Sequence, residues 1–179
     1  MLNDEQVKVL ESGGVAVLPT GSVYGIMASA HHQEAVDRVY NLKGRDPSKP
    51  SIILVADADD LKQFDVLEDD IDKARDYWPE MTSVIVPVPE SVAEFLHRGT
   101  RSLAFRVPPS EGLRRVLELT GPLIAPSANP ESEPPATTIN EAKGYFGDKV
   151  DFYIDGGVCD EKPSKLIRIN DDGVETLRE

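Results

Sequence analysis

Short apolar runs set the hydrophobic pattern of this chain, and polar or amphipathic stretches separate them. Residues 15–18 and 51–56 are rich in Val, Ile and Leu, and each run adjoins a Gly or a Pro, which is typical of buried β-strands. The same signs predict strands over residues 83–86, 102–107, 122–125, 152–154, 165–169 and 174–177.

Helical periodicity fills the intervals between these strands. Residues 110–119, for example, place Leu113, Val116 and Leu117 on one face. Further helices are predicted over residues 3–12, 33–42, 57–64, 68–77 and 141–146, whereas residues 129–138 carry too much proline for a helix interior or a central strand. Because the alternation is irregular, we expect one α/β domain over residues 1–179, with an open, twisted, mixed sheet flanked by helices.

Composition places the chain among soluble globular proteins. Its 179 residues suit a single domain, and 40% hydrophobic residues can build a full core. No apolar run approaches the roughly 20 residues of a membrane helix, and the N-terminus does not read as a secretory signal. The single cysteine, Cys159, excludes an internal disulfide framework and cannot hold zinc alone. We therefore expect a cytoplasmic protein without a membrane partner.

The net charge of −13 bears on possible partners. A surface this acidic repels a phosphate backbone, and direct nucleic-acid binding should therefore be weak or absent. Eight acids between residues 57 and 72 predict a solvated helical face. The basic residues that remain in loops are therefore the more informative ones.

Two loops combine residues suited to small polar ligands. Residues 18–25 (LPTGSVYG) lead from a buried strand into a turn with the hydroxyls of Thr20 and Ser22, although an ordinary turn explains this segment equally well when it is taken alone. The second loop carries Lys43, Arg45 and Lys49 within seven residues. In an extended loop Lys43 and Arg45 would point the same way and form an anion site, although basic residues after a helix are also common for structural reasons.

Two later segments add polar groups beside strands. Arg106 interrupts an apolar strand that begins near Ser102, and a charge there must either join a structural salt bridge or reach an anionic ligand. Ser127 and Asn129 alternate around an alanine after a short strand, where they could bind phosphate or ribose oxygens or simply form a turn. The three histidines and Cys159 show no spacing typical of a metal site or a catalytic triad, so no metal ligands are predicted.

The order of these motifs is more specific than any one of them. PTGSVYG, KGRDPSKP, SLAFRVP, APSAN and KPS follow one another along residues 10–178, and this series resembles the YrdC-like family of threonylcarbamoyl-AMP synthases. The resemblance implies a mixed α/β fold with a large cationic cavity. It also implies synthesis of threonylcarbamoyl-AMP and pyrophosphate from L-threonine, bicarbonate and ATP with Mg²⁺, and a downstream tRNA threonylcarbamoyl transferase as partner.

The resemblance also assigns roles to individual residues. Lys43 and Arg45 would be catalytic. The ATP-binding residues would be Lys43, Arg45, Lys49, Ser102, Arg106, Ser127, Asn129 and Arg178. The threonine-binding residues would be Thr20, Ser22 and Ser164.

The chain departs from the family pattern at three positions that bear on activity. Gly21 stands where Asp is usual, Pro135 replaces a nucleotide-contacting serine, and Lys165 alters the usual Pro-Ser-Thr turn. Two alternatives to the enzyme therefore remain: a non-catalytic paralogue that binds nucleotide or RNA, and a structural partner within a tRNA-modification assembly. The length leads us to expect the short, single-domain form.

Overall fold

Nine strands form one sheet in the computed structural model, which describes residues 2–170 and 173–179. The spatial order is β7-β1-β2-β6-β3-β5-β4-β8-β9. The strands are β1 Val15–Pro19, β2 Tyr24–Ser29, β3 Ile52–Leu54, β4 Thr82–Pro87, β5 Ser102–Arg106, β6 Leu123–Ile124, β7 Phe152–Tyr153, β8 Lys165–Asn170 and β9 Gly173–Arg178. The pairs β1–β7, β3–β5 and β4–β8 are parallel and the other pairs are antiparallel, so the predicted mixed α/β sheet is confirmed.

Six α-helices flank the sheet in the described part of the chain. They are α1 Asp4–Glu11, α2 Gln33–Lys43, α3 Glu68–Arg75, α4 Glu94–His97, α5 Glu111–Thr120 and α6 Ile139–Phe146. Asn3 and Thr138 cap α1 and α6 through capping boxes, which satisfies main-chain N–H groups that have no partner within the helix. None of these helices has the length and apolar character needed to cross a bilayer.

The two faces of the sheet are covered differently. One face buries a large core that includes Phe105 and Phe146, packed beneath helices such as α2 and α6. On the other face, α1 and α5 contribute Leu10 and Leu117 to a smaller core over β1, β2 and β6. These two helices leave the surface over β3, β5, β4 and β8 free to form the floor of a cavity.

Several predicted elements differ from the observed ones. The chain over residues 58–64 forms a 3₁₀ helix, not an α-helix, and β3 is limited to three residues of the predicted strand at 51–56. Strand β2 was not predicted, because its run Tyr24–Ser29 contains Gly25 and follows a turn that obscures its start. A side chain at position 25 would meet Thr20 Cγ2 at 2.5 Å, so this glycine lets β2 pack against the polar loop.

Candidate functional site

A cavity of about 540 Å³ lies above the uncovered half of the sheet. Side chains that alternate along each strand form its floor. On β5, Ser102, Ala104 and Arg106 face the cavity. Leu103 and Phe105, between them, face the larger core. Apolar side chains of β3, β4 and β8 complete the floor. The chain thus builds a cleft with an apolar base and polar walls, a composition common in small-molecule sites.

Eight of the predicted site residues, from distant segments of the chain, line this one cavity. They are Thr20, Ser22, Arg45, Ser102, Arg106, Ser127, Ser164 and Arg178. Neither Asp nor Glu occurs among the lining residues in the described ranges. The lining is therefore cationic in a chain whose net charge is −13.

The loop after β1 presents two buried hydroxyls. Thr20 Oγ1 donates to the main-chain oxygen of Val23 at 2.8 Å and lies 3.2 Å from Ser22 Oγ. Gly21 between them has φ of +89°, a conformation that side-chain-bearing residues rarely adopt. The departure at Gly21 therefore suits the loop that positions both hydroxyls.

Arg106 is buried without a carboxylate partner. Its Nη2 donates to the main-chain oxygen of Thr20 at 3.2 Å, while its Nε has no hydrogen-bond partner. Burial, followed by repulsion from Arg178, lowers the pKa of Arg106 to about 10. Within the described ranges no ion pair includes Arg106, so the salt-bridge alternative is wrong and the anion contact stays a prediction.

Arg45 reaches the cavity because α2 ends just before it. Gly44 adopts the left-handed conformation that closes the helix. The Arg45 side chain then donates from Nε to the main-chain oxygen of Lys49 at 3.2 Å and from Nη2 to that of Pro50 at 2.9 Å. These bonds hold the guanidinium in the cavity wall.

Lys43 points elsewhere, so the expectation that it shares a direction with Arg45 is wrong. It is the last residue of α2, and its buried Nζ donates to the main-chain oxygens of Ser127 and Asn129, each at 2.5 Å. Burial, with a smaller contribution from Arg45, lowers the pKa of Lys43 to about 8. Asn129 also lies outside the lining, where its Oδ1 accepts from Ser127 Oγ at 2.6 Å.

Lys49 is likewise absent from the cavity lining. Its exposed Nζ lies 3.3 Å from a carboxylate oxygen of Glu131 and 3.6 Å from one of Asp46. The main-chain N–H of Asp46 donates to the other Glu131 oxygen at 2.8 Å. Glu131 thus ties the loop after Asn129 to the segment carrying Arg45.

Ser164 and Arg178 meet at the opposite wall. Ser164 Oγ lies 2.9 Å from Ser83 Oγ, and its main-chain oxygen accepts from Arg178 Nε at 3.0 Å and from Nη2 at 2.8 Å. Sequence reasoning missed Thr100 and Arg168, which also line the cavity. The alternation of β8 could have indicated Arg168, because it lies two residues after Leu166 on the same face.

Comparison with known proteins places this site in a family. A model for Sua5, YciO and YrdC, described as telomere recombination, matches residues 8–179. The threonylcarbamoyl-AMP synthase of Pseudomonas fluorescens Pf0-1 is 33% identical over 169 residues, which cover 92% of this chain and 90% of the relative. A putative threonylcarbamoyl-AMP synthase of Methanocaldococcus jannaschii is 31% identical over 185 residues, covering 98% and 87%.

Solved structures agree with this result. Sua5 of Pyrococcus abyssi in complex with L-threonine has a TM-score of 0.85 and 29% identity over 97% of this chain, which spans only 52% of the Sua5 chain. YciO of Escherichia coli has a TM-score of 0.84 at 24% identity and shows the fold alone. The relatives carry the name of a nucleotidyltransferase-type enzyme, which confirms the predicted enzyme class for the family. The family match, the relatives above 30% identity and the shared fold together show that this chain belongs to the Sua5/YciO/YrdC family.

Proposed function

We propose that this chain is a cytoplasmic L-threonylcarbamoyladenylate synthase, which forms threonylcarbamoyl-AMP and pyrophosphate from L-threonine, bicarbonate and ATP. The observation that carries the proposal is the convergence of eight predicted ligand-binding residues on one cationic cavity. The names of the curated relatives and the threonine complex of a structural relative support the choice of substrates.

One part of the cavity suits an amino acid. The hydroxyls of Thr20 and Ser22 lie 3.2 Å apart and are buried, so each can exchange hydrogen bonds with a hydroxyl or amine of comparable size. Ser164 adds a third hydroxyl, also buried. We assign threonine to this region, where a polar substrate would replace water with fixed hydrogen bonds.

The arginines of the same cavity suit a nucleotide. Arg45 and Arg178 line the cavity with guanidinium groups already oriented by main-chain carbonyl oxygens, and Arg106 carries a buried N–H that has no protein partner. Guanidinium groups can bind phosphate oxygens through two parallel hydrogen bonds. Ser102 and Ser127 add neutral hydroxyl groups to the same lining. We assign the phosphates and ribose of ATP to these groups.

The proposed reaction needs charge stabilisation more than a protein nucleophile. The threonine amine combines with bicarbonate to give a carbamate and water. A carbamate oxygen then forms a bond to the α-phosphorus, the bond from that phosphorus to the bridging oxygen breaks, and pyrophosphate leaves with the electron pair. Fixed positive groups such as Arg45 stabilise the charge that develops on the phosphoryl oxygens. Lys43 acts on this site by positioning the Ser127 main chain.

Mg²⁺ enters this scheme as part of the substrate. Among residues 2–170 and 173–179 there is no group of three or more His, Cys, Asp or Glu side chains placed to hold a metal ion. The lining donors are hydroxyls and guanidiniums, whereas Mg²⁺ prefers carboxylate and phosphate oxygens. We therefore assign the ion to the phosphates of ATP, which this cavity would receive as a complex.

The product implies a further partner. Threonylcarbamoyl-AMP is an activated acyl donor, and a tRNA threonylcarbamoyl transferase would move its threonylcarbamoyl group to an adenosine and release AMP. The net charge of −13 disfavours direct tRNA binding by this chain, so we expect transfer of the small product rather than of a tRNA complex.

Product analysis of the purified protein tests the proposed reaction. We expect AMP derivatives and pyrophosphate to form from ATP and Mg²⁺ only when both threonine and bicarbonate are present. Omission of either one, and replacement of threonine by alanine, provide the matched controls. ATP consumption that is indifferent to threonine, or no consumption with all substrates present, would reject the synthase.

A paralogue that binds nucleotide without turnover is the second candidate. It is favoured by the position of Lys43, Lys49 and Asn129, three predicted ATP ligands that lie outside the lining. Calorimetry distinguishes the two functions. ATP binding with no change in affinity on adding threonine, together with absent turnover, supports the paralogue, because a synthase must bind both substrates in one cavity.

A further inference from the structure

Arg168 lines the same cavity, although none of the family motifs points to it. Strand β8 alternates, so that Leu166 and Arg168 face the cavity while Ile167 and Ile169 enter the larger core. Arg168 is paired in register with Glu175 on the edge strand β9. Its guanidinium therefore stands at the wall formed by β8 and β9.

The other three cavity arginines are held by the protein itself. Arg45 and Arg178 each donate from Nε and Nη2 to main-chain oxygens at 2.8–3.2 Å. Arg106 is buried and donates to one main-chain oxygen at 3.2 Å. These contacts fix the direction of each guanidinium before any ligand binds.

Arg168 is held differently. Among the residues that the structure describes, its one side-chain contact is a bond from Nη1 to a carboxylate oxygen of Glu175 at 3.4 Å. Both side chains are about half exposed, at 43% and 53%, and such exposed pairs contribute little to stability. An arginine has five N–H donors, so most of those on Arg168 are available to a ligand. Rotation of the Arg168 side chain away from Glu175 therefore costs little free energy.

We propose that Arg168 is a mobile binding residue that leaves Glu175 and donates to a phosphate group of ATP. This inference rests on the proposed function and deepens it. Strand β8 lies two strands away from β5, a separation of roughly 9–10 Å, so Arg168 is remote from Arg106 on the floor of the cavity. The oxygens of a phosphate group that lies near Arg168, away from Arg106, match the fork of its donors.

Glu175 gives the proposal a sharp test, because it competes with the ligand for the same guanidinium. Calorimetric titration with Mg²⁺–ATP should show roughly 10-fold weaker binding for Arg168→Gln, the loss expected for one charge-assisted contact. Glu175→Gln should bind ATP slightly more tightly, by about 2-fold, because Arg168 is released from a weak ion pair. The double variant should match Arg168→Gln alone, since Glu175 acts only through Arg168.

The ion pair of Arg115 and Glu111 on α5 supplies the control. It lies outside the cavity lining, has similar exposure, and its glutamine variants change the net charge by the same amounts. Equal effects at the two pairs, or an unchanged dissociation constant for Arg168→Gln, would overturn the proposal.

A titration with inorganic pyrophosphate separates this inference from the proposed function. If the wild-type protein binds no ATP, the proposed function fails, and the pyrophosphate titration then decides on Arg168 alone. Weaker pyrophosphate binding by Arg168→Gln than by Arg115→Gln supports the phosphate contact, and equal binding by the two variants rejects it.

Discussion

The side-chain nitrogen of Lys43 lies 2.5 Å from the main-chain carbonyl oxygen of Ser127 and equally close to that of Asn129. A single ammonium group thus joins the last residue of α2 to the segment that forms one wall of the cavity. Ser127 lines the cavity while Lys43 is buried behind it, so the lysine can shape the site without contacting its contents.

Replacement of Lys43 by Met tests this arrangement, because Met keeps most of the side-chain volume and removes the donor. Two carbonyl oxygens then lose a charged partner. We expect the free energy of unfolding to fall by about 1–3 kcal/mol. ATP affinity should fall with it as the Ser127 segment loosens. Urea denaturation measures the first effect, and Lys73→Met, at an exposed lysine on α3, is the control. Equal stability of the two variants would show that the hydrogen bonds of Lys43 do not stabilise the fold.

Because the pKa of Lys43 is lowered, its contribution to the free energy of unfolding depends on pH. Below about pH 8 the group is protonated in both the folded and the unfolded chain and gives no slope. Between about 8 and the ordinary value of 10.5, the unfolded chain holds a proton that the folded chain has released. The contribution of Lys43 to the free energy of unfolding therefore rises with pH there, by at most about 1.4 kcal/mol per unit.

Activity should respond in the opposite direction, because the neutral amine has lost its charge and one of its donors. We expect turnover to decline above about pH 8 as Lys43 loses its proton. Stability curves of the wild type minus those of Lys43→Met isolate the group. The subtraction removes the contribution of Cys159, whose pKa is raised by burial. Parallel curves for the two proteins from pH 7 to 10 would show that Lys43 does not titrate in this range.

Sequence reasoning identified most of the polar residues that line the cavity, because the motifs name residue types that a phosphate or hydroxyl ligand requires. It grouped Arg45 and Ser127, and both line this one cavity. It failed for Lys43, because the direction of that side chain depends on where α2 ends, and the left-handed Gly44 sets that end. Residue spacing alone could not distinguish an extended loop from the last turn of a helix.

The fold was predictable where hydrophobic periodicity was strong and uncertain where tertiary contacts decide. The observed helix α5 closely matches the prediction made from its apolar face. Strand β2 escaped because Gly25 interrupts its apolar run and the turn before it obscures its start. The alternation of β8 puts Arg168 on the same face as Leu166, but only the long-range pairing of β8 with β4 places that face in the cavity.

Arg45 carries the clearest prediction for catalysis. Arg45→Ala should abolish turnover while the protein remains folded, because this side chain is partly exposed on a loop and its loss removes phosphate contacts rather than core packing. Arg45→Lys should restore only part of the activity, because an ammonium group lacks the two-pronged geometry. Pyrophosphate release measures turnover, and circular dichroism checks the fold. Wild-type catalytic efficiency in Arg45→Ala would remove this residue from the site.

Ser22, in the loop after β1, and Ser102, on β5, both line the cavity, and because we assign them to threonine and ATP respectively, their variants should affect different substrates. Ser22→Ala deletes one neutral hydrogen bond, worth roughly 0.5–1.5 kcal/mol, which corresponds to about 2- to 13-fold weaker threonine binding with ATP affinity preserved. Ser102→Ala should weaken ATP binding and spare threonine. Calorimetric titrations of both variants with each substrate give four dissociation constants. Ser22→Ala could instead weaken the binding of ATP more than the binding of threonine. In that case the hydroxyl groups around Thr20 do not hold the amino acid, and the orientation of both substrates in the cavity must be reversed.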